Sequence, residues 1–187
     1  IRRFDSYGRR LTFRMSPLGG DRLSAHFDRL GWERYSDSLV MAMPLTDEVV
    51  AGVLDQIPLR DVGRFVSAAI GIRGADPATR AGLSEVIGSI EPEAGLFVHE
   101  VGGEVAATGI CVHDGNLAGL FEIATHPRMR GQGHGRRLVL AALKWARMRD
   151  AAYAWLQVEA DNAAAIALYH SLGFAEAYRY HYRSPPA

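Results

Sequence analysis

Between Leu120 and Leu138 an apolar run, Leu120-Phe121-Glu122-Ile123-Ala124-Thr125, stops at His126-Pro127 and is followed by glycines at 131, 133 and 135. Those glycines open directly onto an amphipathic stretch with Leu138, Ala142, Trp145 and Ala146 at helical spacing. A chain that passes from strand through alternating glycines into a helix must mix the two element types. Glycines there let successive backbone N–H groups converge without side-chain obstruction, and the helix N-terminus adds partial positive charge. The loop therefore suits a phosphate or pyrophosphate, with Arg130, Arg136 and Arg137 as nearby cations. No Gly-Lys-Ser/Thr follows, which excludes a P-loop. The glycines read Gly-x-Gly-x-Gly, and five residues separate Thr125 from Gly131, which argues against a dinucleotide fingerprint. The plainer alternative is a turn that only redirects the chain.

Helix patterns cover Ala78–Ile90, Gly133–Arg149 and Ala163–Leu172. Strand-like runs are Leu96–Glu100, Val105–Val112, Gly119–Thr125, Ala154–Glu159 and Tyr178–Arg183, with turn chemistry at Gly102-Gly103 and Asp114-Gly115-Asn116. The middle reads as an antiparallel meander, and the whole as a mixed α/β (α+β) fold with a mostly antiparallel sheet flanked by helices.

A degenerate repeat underlies this order. Leu11–Met15, a helix-like stretch ending Leu30-Gly31-Trp32 and the run Leu39–Met43 echo Leu156–Ala160, a helix ending Leu172-Gly173-Phe174 and Tyr178–Arg183. Phe27 and Tyr169 each precede their Leu-Gly pair by three residues. Residues 1–44 are expected to be the C-terminal remnant of a degenerate related half, and 45–187 the functional domain. Pro44-Leu45-Thr46-Asp47 is the expected boundary, with Thr46 or Asp47 capping a following helix.

Composition narrows the function. The 187 residues carry 21 Lys+Arg and 21 Asp+Glu, so no net field draws the chain to nucleic acid or a membrane surface. No apolar stretch approaches the ~20 residues that span a bilayer. One cysteine, Cys111, excludes a disulfide framework, and the seven histidines lack metal-ligand spacing. No metal is expected. The chain opens on Ile1 without a signal sequence and is read as the remainder of a longer product in a reducing cytoplasm.

Arg130-x-x-Gly133-x-Gly135 resembles the pyrophosphate signature of the GNAT superfamily of acyl-CoA-dependent N-acyltransferases. About thirty residues on, Leu156–Ala160 followed by Asn162-Ala163-Ala164-Ala165 and Leu168-Tyr169-His170-Ser171-Leu172-Gly173-Phe174 is similar to the family's second signature, especially in the ribosomal-protein alanine acetyltransferases. The resemblance is strong over Gly95–Arg183 and weak before it. It implies a GNAT-type sheet with splayed fourth and fifth strands, and acetyl-CoA as cosubstrate. It implies that Arg130, Gly131, Gln132, Gly133, His134, Gly135 and Arg136 hold the pyrophosphate. The pantetheine arm would lie along Ile123, Ala124 and Thr125, with Asn162 bordering it and Tyr169 facing the sulfur.

The expected activity is acetyl transfer to a primary amine, either a small molecule or a peptide N-terminus, by direct attack. A homodimer is compatible with it. Tyr169 is the candidate general acid. In the ribosomal-protein alanine acetyltransferases a glutamate stands where this chain has Gln157, and glutamine cannot act as a base. Glu159, on the same strand face, and Glu122, in an apolar run where burial would raise its pKa, are the candidate bases. The competing expectation is a noncatalytic acyl-CoA-binding sensor or scaffold. His134 is a candidate phosphate contact, and Cys111 a buried apolar residue. Tyr178, Tyr180 and Tyr182 share one strand face that lines either the substrate side or the core.

Overall fold

The computed structural model describes Phe4, Tyr7, Gly8 and residues 10–186. Seven strands and five α-helices follow one another along them: β1 (Phe13–Met15), α1 (Gly20–Arg29), β2 (Glu33–Pro44), α2 (Val62–Arg73), α3 (Arg80–Gly88), β3 (Glu93–Val101), β4 (Glu104–Asp114), β5 (Leu117–Thr125), α4 (His134–Arg147), β6 (Tyr153–Glu159), α5 (Ala163–Ser171) and β7 (Ala175–Ser184). β7 pairs antiparallel with β1 and with β2, and β4 with β3 and with β5, while β5 and β6 run parallel, which is the mixed, mostly antiparallel class expected. The chain forms two compact units, Met43–Leu156 and Ile1–Ala42 with Gln157–Ala187. Residues 1–3, 5, 6, 9 and 187 lie outside the described ones.

In the unit Met43–Leu156, β3, β4 and β5 form the expected meander, and α4 returns the chain so that β6 runs parallel to β5. Alternate strand residues face opposite sides. Leu96 and Ile110 meet Phe65, Val66, Ala69 and Ile70 of α2 in one buried cluster. On the other side, Phe97 meets Trp145 of α4 edge-on, ring centroids 6.0 Å apart. The cross-strand neighbour of Phe97 is Gly109, where a Cβ would stand 2.5 Å from Ile123 Cδ1 and 2.7 Å from Leu138 Cδ2. Only a glycine lets Ile123 and α4 settle onto the sheet there.

Helix α2 is an element the sequence patterns passed over. Gly63 and Gly71 interrupt it, and its apolar residues Phe65, Val66, Ala69, Ile70 and Ile72 occupy too broad an arc to read as a stripe. Its boundaries are nevertheless chemical. The Asp61 side chain accepts the Arg64 N–H, and Gly74 ends the helix at φ +60°. The expected helix after Thr46 or Asp47 is absent: turns occupy residues 47–52, and Asp47 accepts instead from Arg147 at 2.7 Å. The pattern at Ala78–Ile90 resolves into a 3₁₀ turn at Pro77–Thr79 followed by α3.

In the other unit, β7 pairs with β1 and with β2. Met15, Phe27 and Trp32 pack together beneath α1. Arg183, with a side chain only 10% exposed, donates to Asp28 Oδ1 at 2.6 Å and to the Trp32 carbonyl at 2.9 Å, fixing the turn after α1 to β7. The end of β6 is held to β2 by the Ala160 N–H and the Asp37 carbonyl, 2.8 Å.

Candidate active site

The loop between β5 and α4 takes its shape from three local decisions. His126 accepts the Arg128 N–H, and Pro127 starts a 3₁₀ turn that ends at Met129. Arg130 is extended, and its Nε donates to the Thr125 carbonyl at 3.5 Å, folding the loop back on the end of β5. Gly131 and Gly133 then take φ of +75° and +82°, a region L-residues rarely enter. Helix α4 begins at His134, and its first main-chain bond joins the Arg137 N–H to the Gly133 carbonyl at 2.9 Å. The N–H groups of His134 and Gly135 therefore stand at the positive end of a 14-residue helix. Backbone N–H groups placed this way suit an anion. Gln132 closes one side, its Nε2 donating to the Arg128 carbonyl at 3.3 Å.

His134 has a partner that the sequence did not suggest. Its Nδ1 lies 3.2 Å from His99 Nε2 on β3. One ring donates and the other accepts, the roles being set by the tautomers. Burial pushes the His99 pKa down, and the charges of His134 and Arg137 push the same way.

Beside the loop, β5 is bulged. Ile110 pairs with Phe121 but Thr108 pairs with Ala124, so β5 carries an extra residue across from Gly109. Glu122 takes the strain at φ +53°. The parallel ladder to β6 covers only Leu117–Leu120 against Tyr153–Leu156, while β5 runs on through Thr125. The residues Ile123, Ala124 and Thr125, half-buried, thus continue past the parallel pairing and toward the glycine loop.

The apolar run does not enclose Glu122. The bulge turns its carboxylate, about a third exposed, onto the guanidinium of Arg73, the last residue of α2. The pair belongs to the wall of a pocket of about 460 Å³ lined also by Ala69, Ile70, Ala75 and Leu83. Arg73 had no sequence signal beyond its place before Gly74. A larger groove of about 640 Å³, against Pro58, Ile90, Trp145 and Met148, touches none of the loop residues.

The second motif folds within the other unit. Asn162 caps α5, its Oδ1 accepting the Ala165 N–H at 3.2 Å. Tyr169 is 5% exposed and meets Phe174 edge-on at 5.9 Å, and burial pushes its phenol up to about 12. Glu159 is exposed. Gln157 accepts the Tyr180 O–H at 2.6 Å, and Arg14 lies over the buried Tyr180 ring at 3.7 Å. Tyr178 is exposed and Tyr182 half-buried, so the tyrosine face is graded rather than uniformly packed. The unit Met43–Leu156 thus gathers Glu122, Ile123, Ala124, Thr125 and Arg130 through Arg136, while Glu159, Asn162 and Tyr169 stand in the other unit. Cys111 is fully buried, its thiol pushed up to about 12 by burial, as its apolar setting suggested. Among the described residues no group of three or more His, Cys, Asp or Glu could hold a metal ion, and no helix is long and apolar enough to cross a membrane.

The sequence profile of the Acetyltransferase (GNAT) family matches residues 73–174, from Arg73 to the end of the second motif. The [ribosomal protein bS18]-alanine N-acetyltransferase of Escherichia coli (strain K12) is 47% identical over 75 residues, 40% of this chain and 51% of that protein. A mycothiol acetyltransferase of Nocardiopsis dassonvillei is 43% identical over 72 residues, 37% of this chain and 21% of that protein. The chain thus spans about half, or less, of the length of these curated relatives. A solved tandem GNAT protein from the clavulanic acid biosynthesis pathway shares the fold, with a TM-score of 0.68 at 17% identity over 100% of this chain and 67% of its own. The chain belongs to the GNAT family of acetyltransferases.

Proposed function

We propose that the chain moves an acetyl group from acetyl-CoA to a primary amine by direct attack of the amine nitrogen. The observation that carries this is the junction of the bulged β5 with the glycine loop: a main-chain edge that leads into a helix N-terminus rich in N–H donors. That junction fits a long ligand with an amide-bearing arm at one end and a pyrophosphate at the other. The N–H groups of Gln132 to Gly135 hold the pyrophosphate, with Arg130, His134 and Arg136 beside them. The main chain of Ile123, Ala124 and Thr125 takes the pantetheine arm, and Asn162 borders it. Family resemblance assigns these roles, and the φ values of Gly131 and Gly133 support them.

Acetyl-CoA supplies the activated acetyl group. The acceptor arrives as an alkylammonium ion of pKa near 10, so Glu122, Glu159 or a water relay must take its proton first. A C–N bond forms and the C–S bond breaks. An N–H near Ile123 or Ala124 meets the charge that develops on the acetyl oxygen. Tyr169 gives its proton to the departing sulfur. Its burial keeps the phenol protonated across the working range, which is the form an acid needs. Against a thiol of pKa about 8.5, a phenol near 12 makes that transfer uphill by roughly 5 kcal/mol. A thiolate leaving into apolar surroundings is raised by the same cause, which narrows the gap.

Residues 1–44 are, in this proposal, an inert remnant of a related half in which Phe27 holds the place of Tyr169 and has no proton to give. The buried Cys111 and the need for acetyl-CoA agree with a reducing cytoplasm.

Thiol release from acetyl-CoA over a panel of amines, amino acids and peptide N-termini tests the activity, with calorimetric titration of coenzyme A alongside. Release with any acceptor supports transfer. Coenzyme binding with no release on any acceptor overturns it in favour of a sensor or scaffold.

A further inference from the structure

The pocket between α2 and α3 has a character of its own. Ala69, Ile70, Ala75, Leu83 and Val86 give it small, apolar walls, and its charged feature is the Arg73–Glu122 pair. Its volume, about 460 Å³, lies within the range of small-molecule sites, roughly 300–1,000 Å³. Glu122 links it to the proposed transfer point, because the same residue forms the bulge that precedes Ile123 and Ala124. The backbone strain at Glu122 holds a carboxylate at the pocket wall and beside the main-chain edge at once.

A charge pair on the wall of an apolar pocket selects by the charges a ligand brings. A simple alkylammonium that approaches Glu122 must share it with the Arg73 guanidinium, a like charge already in contact. If Arg73 withdraws, one ion pair is exchanged for another and a cation is left unpaired. A zwitterion behaves differently. Its ammonium meets Glu122 and its carboxylate meets the planar fork of Arg73, so one pair is replaced by two and no charge is stranded.

We propose that Arg73 and Glu122 together bind the acceptor as a zwitterion, an α-amino acid whose small apolar side chain enters the pocket between α2 and α3. This rests on the acetyl-transfer reading and specifies its acceptor. The amine nitrogen held at Glu122 is the one that is acetylated: its C–N bond to the acetyl carbon forms, its proton leaves, and the thiolate gains one. Arg73 acts on specificity and takes no part in proton transfer.

The test uses the full chain with saturating acetyl-CoA and three acceptors, L-valine, L-valinamide and isobutylamine, compared at equal concentrations of free amine. Valine should exceed both others in kcat/KM by about tenfold or more, the worth of one charge-assisted contact. Arg73→Gln should bring the valine-to-valinamide ratio close to one, and Arg73→Lys should restore part of it. Circular dichroism and coenzyme A affinity show whether the variants remain folded. A ratio near one in the unaltered protein, or one that Arg73→Gln leaves standing, overturns the proposal. If valinamide, isobutylamine or a peptide N-terminus is acetylated and valine is not, the zwitterion site fails while acetyl transfer stands. If no acceptor releases thiol although coenzyme A binds, both fail.

Discussion

Phe27 and Tyr169 end their helices in the same way. The Phe27 carbonyl accepts the Trp32 N–H at 3.0 Å, and the Tyr169 carbonyl accepts the Phe174 N–H at 3.1 Å. Gly31 at φ +66° and Gly173 at φ +101° make the left-handed step between them, and the aromatic pairs close the turn, Phe27 on Trp32 at 4.5 Å and Tyr169 on Phe174 at 5.9 Å. One helix ending is used twice, once around a phenol and once around a benzyl ring. Phe27, 4% exposed and in contact with Phe13 and Trp32, should then matter for stability alone. Phe27→Ala is expected to cost about 3–5 kcal/mol of unfolding free energy, read from urea titration. Its kcat per folded molecule should match that of the unaltered protein. A fall in kcat with stability intact would make the opening segment part of the catalytic apparatus.

That shared ending was legible in the sequence because it is local: Leu-Gly-aromatic after a helix pattern names its own geometry. The meander was legible for the same reason, through Gly102-Gly103 and Gly115. The glycine loop was legible because Gly131 and Gly133 sit where only glycine is comfortable. The contacts that give the site its character were not. Arg73 reaches Glu122 across 49 residues and His99 reaches His134 across 35, and nothing in either neighbourhood specifies the partner. Helix α2 escaped notice because Gly63 and Gly71 lie within it and Val62 and Ala68 extend its apolar residues beyond a single narrow stripe.

The loop glycines yield a graded prediction. At Gly133 a Cβ meets nothing within 4 Å, yet φ is +82°. Gly133→Ala therefore adds mainly backbone strain, on the order of 1–3 kcal/mol. Gly133→Val adds bulk where the pyrophosphate must approach the amides. Calorimetry should show coenzyme A affinity weakened in the alanine variant and abolished in the valine variant, with circular dichroism unchanged. Equal affinities in all three proteins would remove the cradle from this loop.

The burial of His99, and next to it the charge of His134, sets a pH dependence. The folded pKa of His99 is depressed, so its proton is bound more readily in the unfolded chain than in the folded one. Stability from this source is complete above the unfolded value of about 6.5 and is lost as the pH falls below it. His181, depressed by burial and by Arg34 and Arg183, adds to the same trend. The Tm should fall between pH 7.5 and pH 5.5, and His99→Gln should shrink that fall without removing it. A pH-dependent change in Tm as large in His99→Gln as in the unaltered protein would show that this ring does not couple to folding.

Tyr169→Phe removes one hydroxyl and keeps the ring that packs on Phe174. If the phenol protonates the departing thiolate, single-turnover transfer at saturating coenzyme and acceptor should slow by about 10²–10⁴-fold, the usual worth of a positioned acid. The sign of the pH effect is fixed by the phenol's own position near 12: it stays protonated through the accessible range, so the unaltered enzyme should show no alkaline loss attributable to it below about pH 10. In the variant, solvent must protonate the sulfur, and part of the deficit should vanish as the pH falls while free amine remains. Glu122→Gln and Glu159→Gln behave oppositely, because a missing base is relieved as the pH rises and the amine deprotonates unaided. The carboxylate whose loss is repaired at high pH is the base. Equal single-turnover rates in the unaltered protein and Tyr169→Phe would leave the tyrosine as packing on Phe174, and the thiolate would then depart without an acid from the protein.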